Sequence, residues 1–210
     1  FWAAQDGNVF ALPTGLEPGE RYRRQLADGE ITVRPGQYHE EAYVAGRDGN
    51  VYAVQMQTGG IRWRYTAGTP ALTSPVANDQ EVYHVTEAGG LHCINRATGR
   101  AVWQARGVGR FVAASPKLVY AADRSGRLLI LDRRRGTQLS TFEGTRDFVF
   151  PVANDVTDRI YLASNDGLIV CLHERDHDRP VRMKKEPRAP PQPKDKGKER
   201  GDGKDRMPQP

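Results

Sequence analysis

Five glycines, at positions 7, 49, 89, 126 and 167, each stand between two short β-type runs, at steps of 42, 40, 37 and 41 residues. A period near forty constrains the fold more than any local propensity, because each copy must be one supersecondary unit stacked on the next. Aligned on the glycine, the copies read Asp6-Gly7-Asn8-Val9-Phe10-Ala11-Leu12 and Asp48-Gly49-Asn50-Val51-Tyr52-Ala53-Val54. They continue as Ala88-Gly89-Gly90-Leu91-His92-Cys93-Ile94, Ser125-Gly126-Arg127-Leu128-Leu129-Ile130-Leu131 and Asp166-Gly167-Leu168-Ile169-Val170-Cys171-Leu172. Asp-Gly or Ser-Gly between two such runs is a hairpin signal, since glycine accepts positive φ without steric penalty.

The runs before the glycines are 1–4, 42–45, 82–85, 118–121 and 160–163, with Tyr43, Tyr83, Tyr120 and Tyr161 at one shared point and Trp2 there in the first copy. A third run follows at 61–65, 101–105 and 138–142, and a fourth precedes the later hairpins at 31–33, 72–76, 111–114 and 148–152. Four short strands per repeat, with no helical periodicity, predict an all-β chain of four-stranded propeller blades. Asp6, Asp48 and Asp166 are turn-formers in this reading and not a set of catalytic carboxylates.

The stretch Ala53-x-Gln55-x-x-Thr58-Gly59-x-x-x-Trp63 resembles the tryptophan-docking motif of the pyrroloquinoline-quinone-like (PQQ-like) propeller repeat, Ala-x-Asp-x-x-Thr-Gly-x-x-x-Trp. Cys93-x-Asn95-x-x-Thr98-Gly99-x-x-x-Trp103 repeats it. The fourth copy keeps Asp132 and Gly136 but has Arg135 and Ser140 where Thr and Trp belong. The first is distorted, with Pro13-Thr14-Gly15 followed by Gly19 and Tyr22, and the fifth lacks its tryptophan. The resemblance covers about residues 1–173 and implies that Trp63 and Trp103 staple adjacent blades, a structural role suited to a large buried indole. No Trp-Asp pair ends a strand, which separates the chain from the WD40 relatives.

Propellers of the resembled family close with about seven or eight blades. The five copies are therefore expected to be part of a larger propeller, completed by upstream sequence or by another chain. Residues 1–178 make up the repeats, and 179–210 read as a disordered charged tail, rich in Lys, Arg and Pro with little to bury. The net charge of +5 sits mainly there: residues 174–210 hold twelve Lys and Arg against eight Asp and Glu, leaving the rest nearly neutral. A nearly neutral repeat region argues against a nucleic-acid-binding domain. No run reaches the roughly 18 apolar residues of a membrane span.

Candidate chemistry is sparse. His173-Glu174-Arg175-Asp176-His177 fits H-E-x-x-H, yet it follows a β-run and Pro180 ends any short helix, so zinc is not expected. His84 and His92 fall on neighbouring strands, where His92 replaces Tyr52 of the second copy. Cys93 and Cys171 occupy the small-residue slot of Ala11 and Ala53, which predicts two buried thiols and no disulfide. The quinone-dependent dehydrogenases of this repeat type use an adjacent cysteine pair and calcium, and no Cys-Cys pair occurs here. That alternative aside, no cofactor is expected, and the resemblance implies a non-catalytic scaffold like the BamB-type outer-membrane assembly factors. Such a scaffold grips protein partners by loops on the propeller face, here residues 15–20 and 35–41. It also implies a periplasmic, outer-membrane-associated or secreted location.

Overall fold

The structure, a computed structural model, describes residues 1–11, 22–150 and 152–185. Its strands form five antiparallel meanders, and the described residues contain no helix. The first sheet holds β1 (Trp2–Ala3), β2 (Asn8–Ala11) and β3 (Tyr22–Gln25). The second holds β4 (Gly36–Tyr38), β5 (Glu41–Ala45), β6 (Asn50–Gln55) and β7 (Ile61–Thr66). The third holds β8 (Val76–Ala77), β9 (Glu81–Thr86), β10 (Gly90–Asn95) and β11 (Ala101–Arg106). The fourth holds β12 (Arg110–Ala114), β13 (Leu118–Ala122), β14 (Leu128–Asp132) and β15 (Gln138–Phe142), and the fifth β16 (Ile160–Ala163) and β17 (Ile169–Leu172).

These are propeller blades. Strand order follows chain order from inside to outside, and the inner strands β4 and β8 meet, as do β9 and β12. Four apolar clusters fill the spaces between successive sheets. One joins Tyr43, Val51 and Trp63 of the second sheet to Ala77, Val82 and Ile94 of the third. The next joins Tyr83, Leu91 and Trp103 to Phe111, Val119 and Leu129 of the fourth. Burying each such side chain stabilises by about 1.5–3 kcal/mol, so the sheet-to-sheet contacts dominate cohesion.

One row across each sheet shows why the repeat looks as it does. It runs Gly36, Tyr43, Ala53, Trp63 in the second sheet and Val76, Tyr83, Cys93, Trp103 in the third. The small third residue lets tyrosine and indole approach over it, with centroids 5.9 and 6.2 Å apart. In the fourth sheet Ile130 fills the slot and Ser140 stands where the indole would be.

Four expectations need correction. The inner strands are displaced from the apolar runs or shortened: 31–33 gives way to β4 at Gly36–Tyr38, 72–76 to β8 at Val76–Ala77, and 148–152 to a single bridge at Val149. Pro75 and Pro151 lie inside two of these runs, and proline removes a ladder donor; β12, with no proline inside its run, keeps five residues. Trp2 pairs with Phe10, one position off the tyrosine row, and is exposed. Cys93 is buried as expected, but Cys171 is exposed, because among the described residues no strand pairs with the outer edge of β17.

Finally, packing continues past residue 178. Val181 and Met183 join the cluster between the third and fourth sheets, and Thr157 bridges to Arg182. The rest of the expected tail, 186–210, and the loop at 15–20 lie outside the described residues.

Candidate partner-binding face

The second, third and fourth blades each turn twice at the same end, and the two turns are tied together. Met56 N–H donates to the Glu40 carbonyl, Arg96 N–H to Gln80, and Arg133 N–H to Lys117, at 2.9, 2.9 and 3.0 Å. The outer of these turns carries the repeat motif. Gly59, Gly99 and Gly136 take φ near +70° and donate back to the carbonyls of Gln55, Asn95 and Asp132 at 2.8 Å. Thr58 Oγ1 donates to Gln55 Oε1 and accepts from Gly60 N–H, and Thr98 does the same with Asn95 and Arg100.

An aromatic side chain of the preceding sheet lies on each turn. The Trp63 indole packs on Gly99 and donates to the Arg96 carbonyl at 2.8 Å. Trp103 packs on Gly136 and donates to the Arg133 carbonyl at 2.7 Å. Tyr22 packs on Gly59, its hydroxyl donating to the Met56 carbonyl at 2.8 Å. Thus the distorted first copy keeps the contact with a smaller ring. The hairpin glycines Gly7, Gly49, Gly89, Gly126 and Gly167 all have positive φ and lie at the opposite end, where Asp48 Oδ1 accepts from Asn50 N–H at 3.1 Å.

The same two arginines make a second contact that the sequence reading missed. Glu41 Oε2 accepts from Arg96 Nη1 at 2.8 Å, and Glu81 Oε2 from Arg133 Nη2 at 2.6 Å. A signal was available: a glutamate eight residues before one turn glycine and an arginine seven after the next.

Glu41 also sits in the wall of a groove of about 1510 Å³ at this end of the blades. Loop 35–41 forms one side, and Arg182, Lys184 and Lys185 of the C-terminal segment another. The buried Glu41 carboxylate, 7% exposed, also accepts from Tyr43 and Arg62. Arg96 stacks over Tyr38, its Cζ 4.5 Å from the ring centroid. Tyr38 donates to Asp79; burial first, then that carboxylate, pushes its hydroxyl up to about 12. Burial works to raise Asp79, but hydrogen bonds from Tyr38 and the Lys185 backbone outweigh it and hold the carboxyl below its usual range. Lys184 Nζ donates to Asp155 and to the Gln37 carbonyl. Six cationic side chains line the groove against three carboxylates, so it carries a net positive potential.

The other candidates are built into the fold. His177 Nδ1 lies 2.9 Å from Asp158 Oδ2 and 3.9 Å from Glu174 Oε2, and Glu174 accepts from Tyr120 at 2.9 Å, so these residues of H-E-x-x-H are engaged within the fold. Among the described residues no group of three or more His, Cys, Asp or Glu is placed to hold a metal ion. His84 and His92 are cross-strand partners, His92 Nδ1 lying 2.9 Å from the Tyr65 hydroxyl. His84 is buried with Nδ1 unpartnered, and burial, then His92, lowers its pKa to about 3.

The family model for the outer membrane protein assembly factor BamB matches residues 18–189. The crystal structure of BamB from Moraxella catarrhalis is similar at TM-score 0.60 and 22% identity, over 81% of this chain and 53% of that one. The chain thus spans about half the length of that relative. Two computationally designed proteins are also similar at 15% identity: Ika8 (TM-score 0.62, 82% of this chain and 54% of that one) and Ika4 (0.55, 70% and 92%). Comparison with curated proteins returns no match.

Proposed function

The chain belongs to the outer membrane protein assembly factor BamB family, and from that premise we propose that it is a non-catalytic propeller scaffold for a partner protein. The observation that carries this reading is the groove beside loop 35–41, whose wall is fixed by Glu41, Arg62, Arg96 and Tyr38. A rigid set of charges on paired blade ends suits recognition of an acidic surface. The partner meets the groove in the periplasm or at the outer membrane, in keeping with the family. Among the described residues no helix is long and apolar enough to cross a membrane.

A photo-crosslinking residue at His39 or Lys185 tests the assignment, with Leu139 on the outer strand as control. Adducts with an envelope protein at the first two positions and none at the third are expected. Adducts only at Leu139 would overturn it. Titration with the quinone and calcium checks the dehydrogenase alternative: Trp63 and Trp103 are committed to neighbouring blades, so their fluorescence should show no saturable change.

A further inference from the structure

We propose that the C-terminal segment 181–185 is the selectivity element of the groove. It supplies the cations that make the groove take an acidic peptide segment of the partner, and Asp79 latches it in place. This deepens the reading above and rests on it.

The groove forms where the repeat is broken twice. The turns before β9, β13 and β16 cap themselves. Asn78 Oδ1 accepts from the Gln80 and Glu81 N–H groups, Ser115 Oγ from Lys117 and Leu118, and Asn154 Oδ1 from Val156 and Thr157. In the turn before β5, Tyr38 stands at the capping place, paired with Glu41. No such cap is made there, and His39 takes φ of +50°, the one positive φ outside glycine among the described residues. Strain of this kind persists where the surroundings hold it, and it clusters at binding sites. The Tyr38 ring and hydroxyl go instead to the next blade, to Arg96 and Asp79.

The second break is the C-terminal segment itself, and Asp79 is the joint between the two. Asp79 Oδ1 accepts from the Tyr38 hydroxyl and from Lys185 N–H, the latter at 3.1 Å. The Asp79 N–H donates to the Met183 carbonyl at 3.4 Å, and Met183 N–H to Val156 at 2.8 Å. Lys184 Nζ donates to the Gln37 carbonyl at 3.1 Å and to Asp155. The segment therefore straps together turns of the second, third and fifth sheets along the groove. It brings Arg182, Lys184 and Lys185 to the lining. Without them Arg34, Arg62 and Arg96 would face Glu40, Glu41 and Asp155, and the groove would be balanced. Arg62 and Arg96 already share Glu41. Lys185, its side chain 80% exposed and 4.0 Å from Asp79, and the exposed Arg34 are left to meet a carboxylate. A concave site with an excess of one charge selects a ligand of the other.

The test uses the full chain and a fluorescein-labelled octaglutamate peptide, followed by anisotropy. The native chain should bind it saturably. Lys184→Gln with Lys185→Gln should weaken binding about tenfold. Arg134→Gln with Arg135→Gln removes the same charge from exposed positions outside the groove and should change affinity by less than about twofold. Asp79→Ala has the sharper sign. It removes a negative charge, which would tighten binding if net charge alone mattered, yet release of the Lys185 end should weaken it severalfold. No binding by the native chain, equal losses from the two double variants, or tighter binding by Asp79→Ala overturns the proposal. Photo-crosslinking at His39 separates it from the reading it rests on. Partner adducts undiminished by Lys184→Gln with Lys185→Gln refute the strap's role and leave the groove standing, whereas no adducts at His39 in the native chain refute the groove reading itself.

Discussion

The ring of Trp63 lies so close over Gly99 that a β-carbon on the glycine would stand 2.7 Å from its Cγ. Gly99 also has φ of +72°, so the turn needs glycine for conformation and for space. Gly99→Ala should therefore lose about 2–4 kcal/mol, combining left-handed strain with overpacking. Gly89, at φ +81° with nothing within 4 Å, supplies the control. Gly89→Ala should lose only about 1 kcal/mol. Urea unfolding of the two variants separates the contributions; equal losses would show that the indole can give way.

Removing the indole itself should matter as much. Trp63→Ala is expected to lose about 3–5 kcal/mol, as buried aromatic truncations do. Tyr22→Phe deletes only the hydroxyl bonded to the Met56 carbonyl and should lose about 1 kcal/mol. A loss below about 1 kcal/mol for Trp63→Ala would show that the second and third sheets are held by other contacts.

Glu81 and Arg133 should be strongly coupled, because both are mostly buried and 2.6 Å apart. A double-mutant cycle with Glu81→Ala and Arg133→Ala is expected to give about 1–3 kcal/mol of interaction. The cycle on Glu41 and Arg62 should give less, since half of Arg62 is in water. Equal coupling in the two cycles would deny the role assigned to burial.

His84 sets an acid limit on stability. Folded, the imidazole stays neutral down to about pH 3, whereas the unfolded chain takes up its proton near 6.5. Between these values the unfolded state binds more protons, so stability falls with decreasing pH by up to roughly 1.4 kcal/mol per unit. His84→Leu, similar in volume, should flatten this slope between pH 6 and 4. Urea midpoints across that range check it; an unchanged slope would place the titration elsewhere.

Met183 lies beyond the boundary that composition marks at residue 178, yet it is buried in the third and fourth blades' cluster. Met183→Ala should lose about 2–3 kcal/mol. A change within about 0.5 kcal/mol, typical of a surface position, would restore the boundary to 178.

How far the fold was legible follows from where its signals lie. The hairpin glycines and β-runs are local, and the strands they mark stand within a residue or two of the expected places. The inner strands were misplaced because an apolar run looks the same whether or not a proline cuts its ladder. Cys171 was misread because its slot is covered only by what lies opposite, and the missing tryptophan of the fifth copy, which marks the uncovered side, was not carried over to the thiol. The groove was harder still. Loop 35–41 could be nominated as a break in the repeat, but Glu41 and Arg96 meet across 55 residues and two blades. Only the second instance, Glu81 with Arg133, turns that contact into a pattern. Met183 and Lys184 offered no periodic signal, since they reach the fold after the repeats have ended.

Tyr22, Trp63 and Trp103 all point the same way, each from the outer strand of one sheet onto the turn of the next. The assembly is therefore polar, like a row of hooks and eyes. Along the row, each outer strand must bring a ring, while each following sheet needs to offer only a glycine turn and a carbonyl. Ser140, which brings no ring to the fifth sheet, marks where the row of hooks stops.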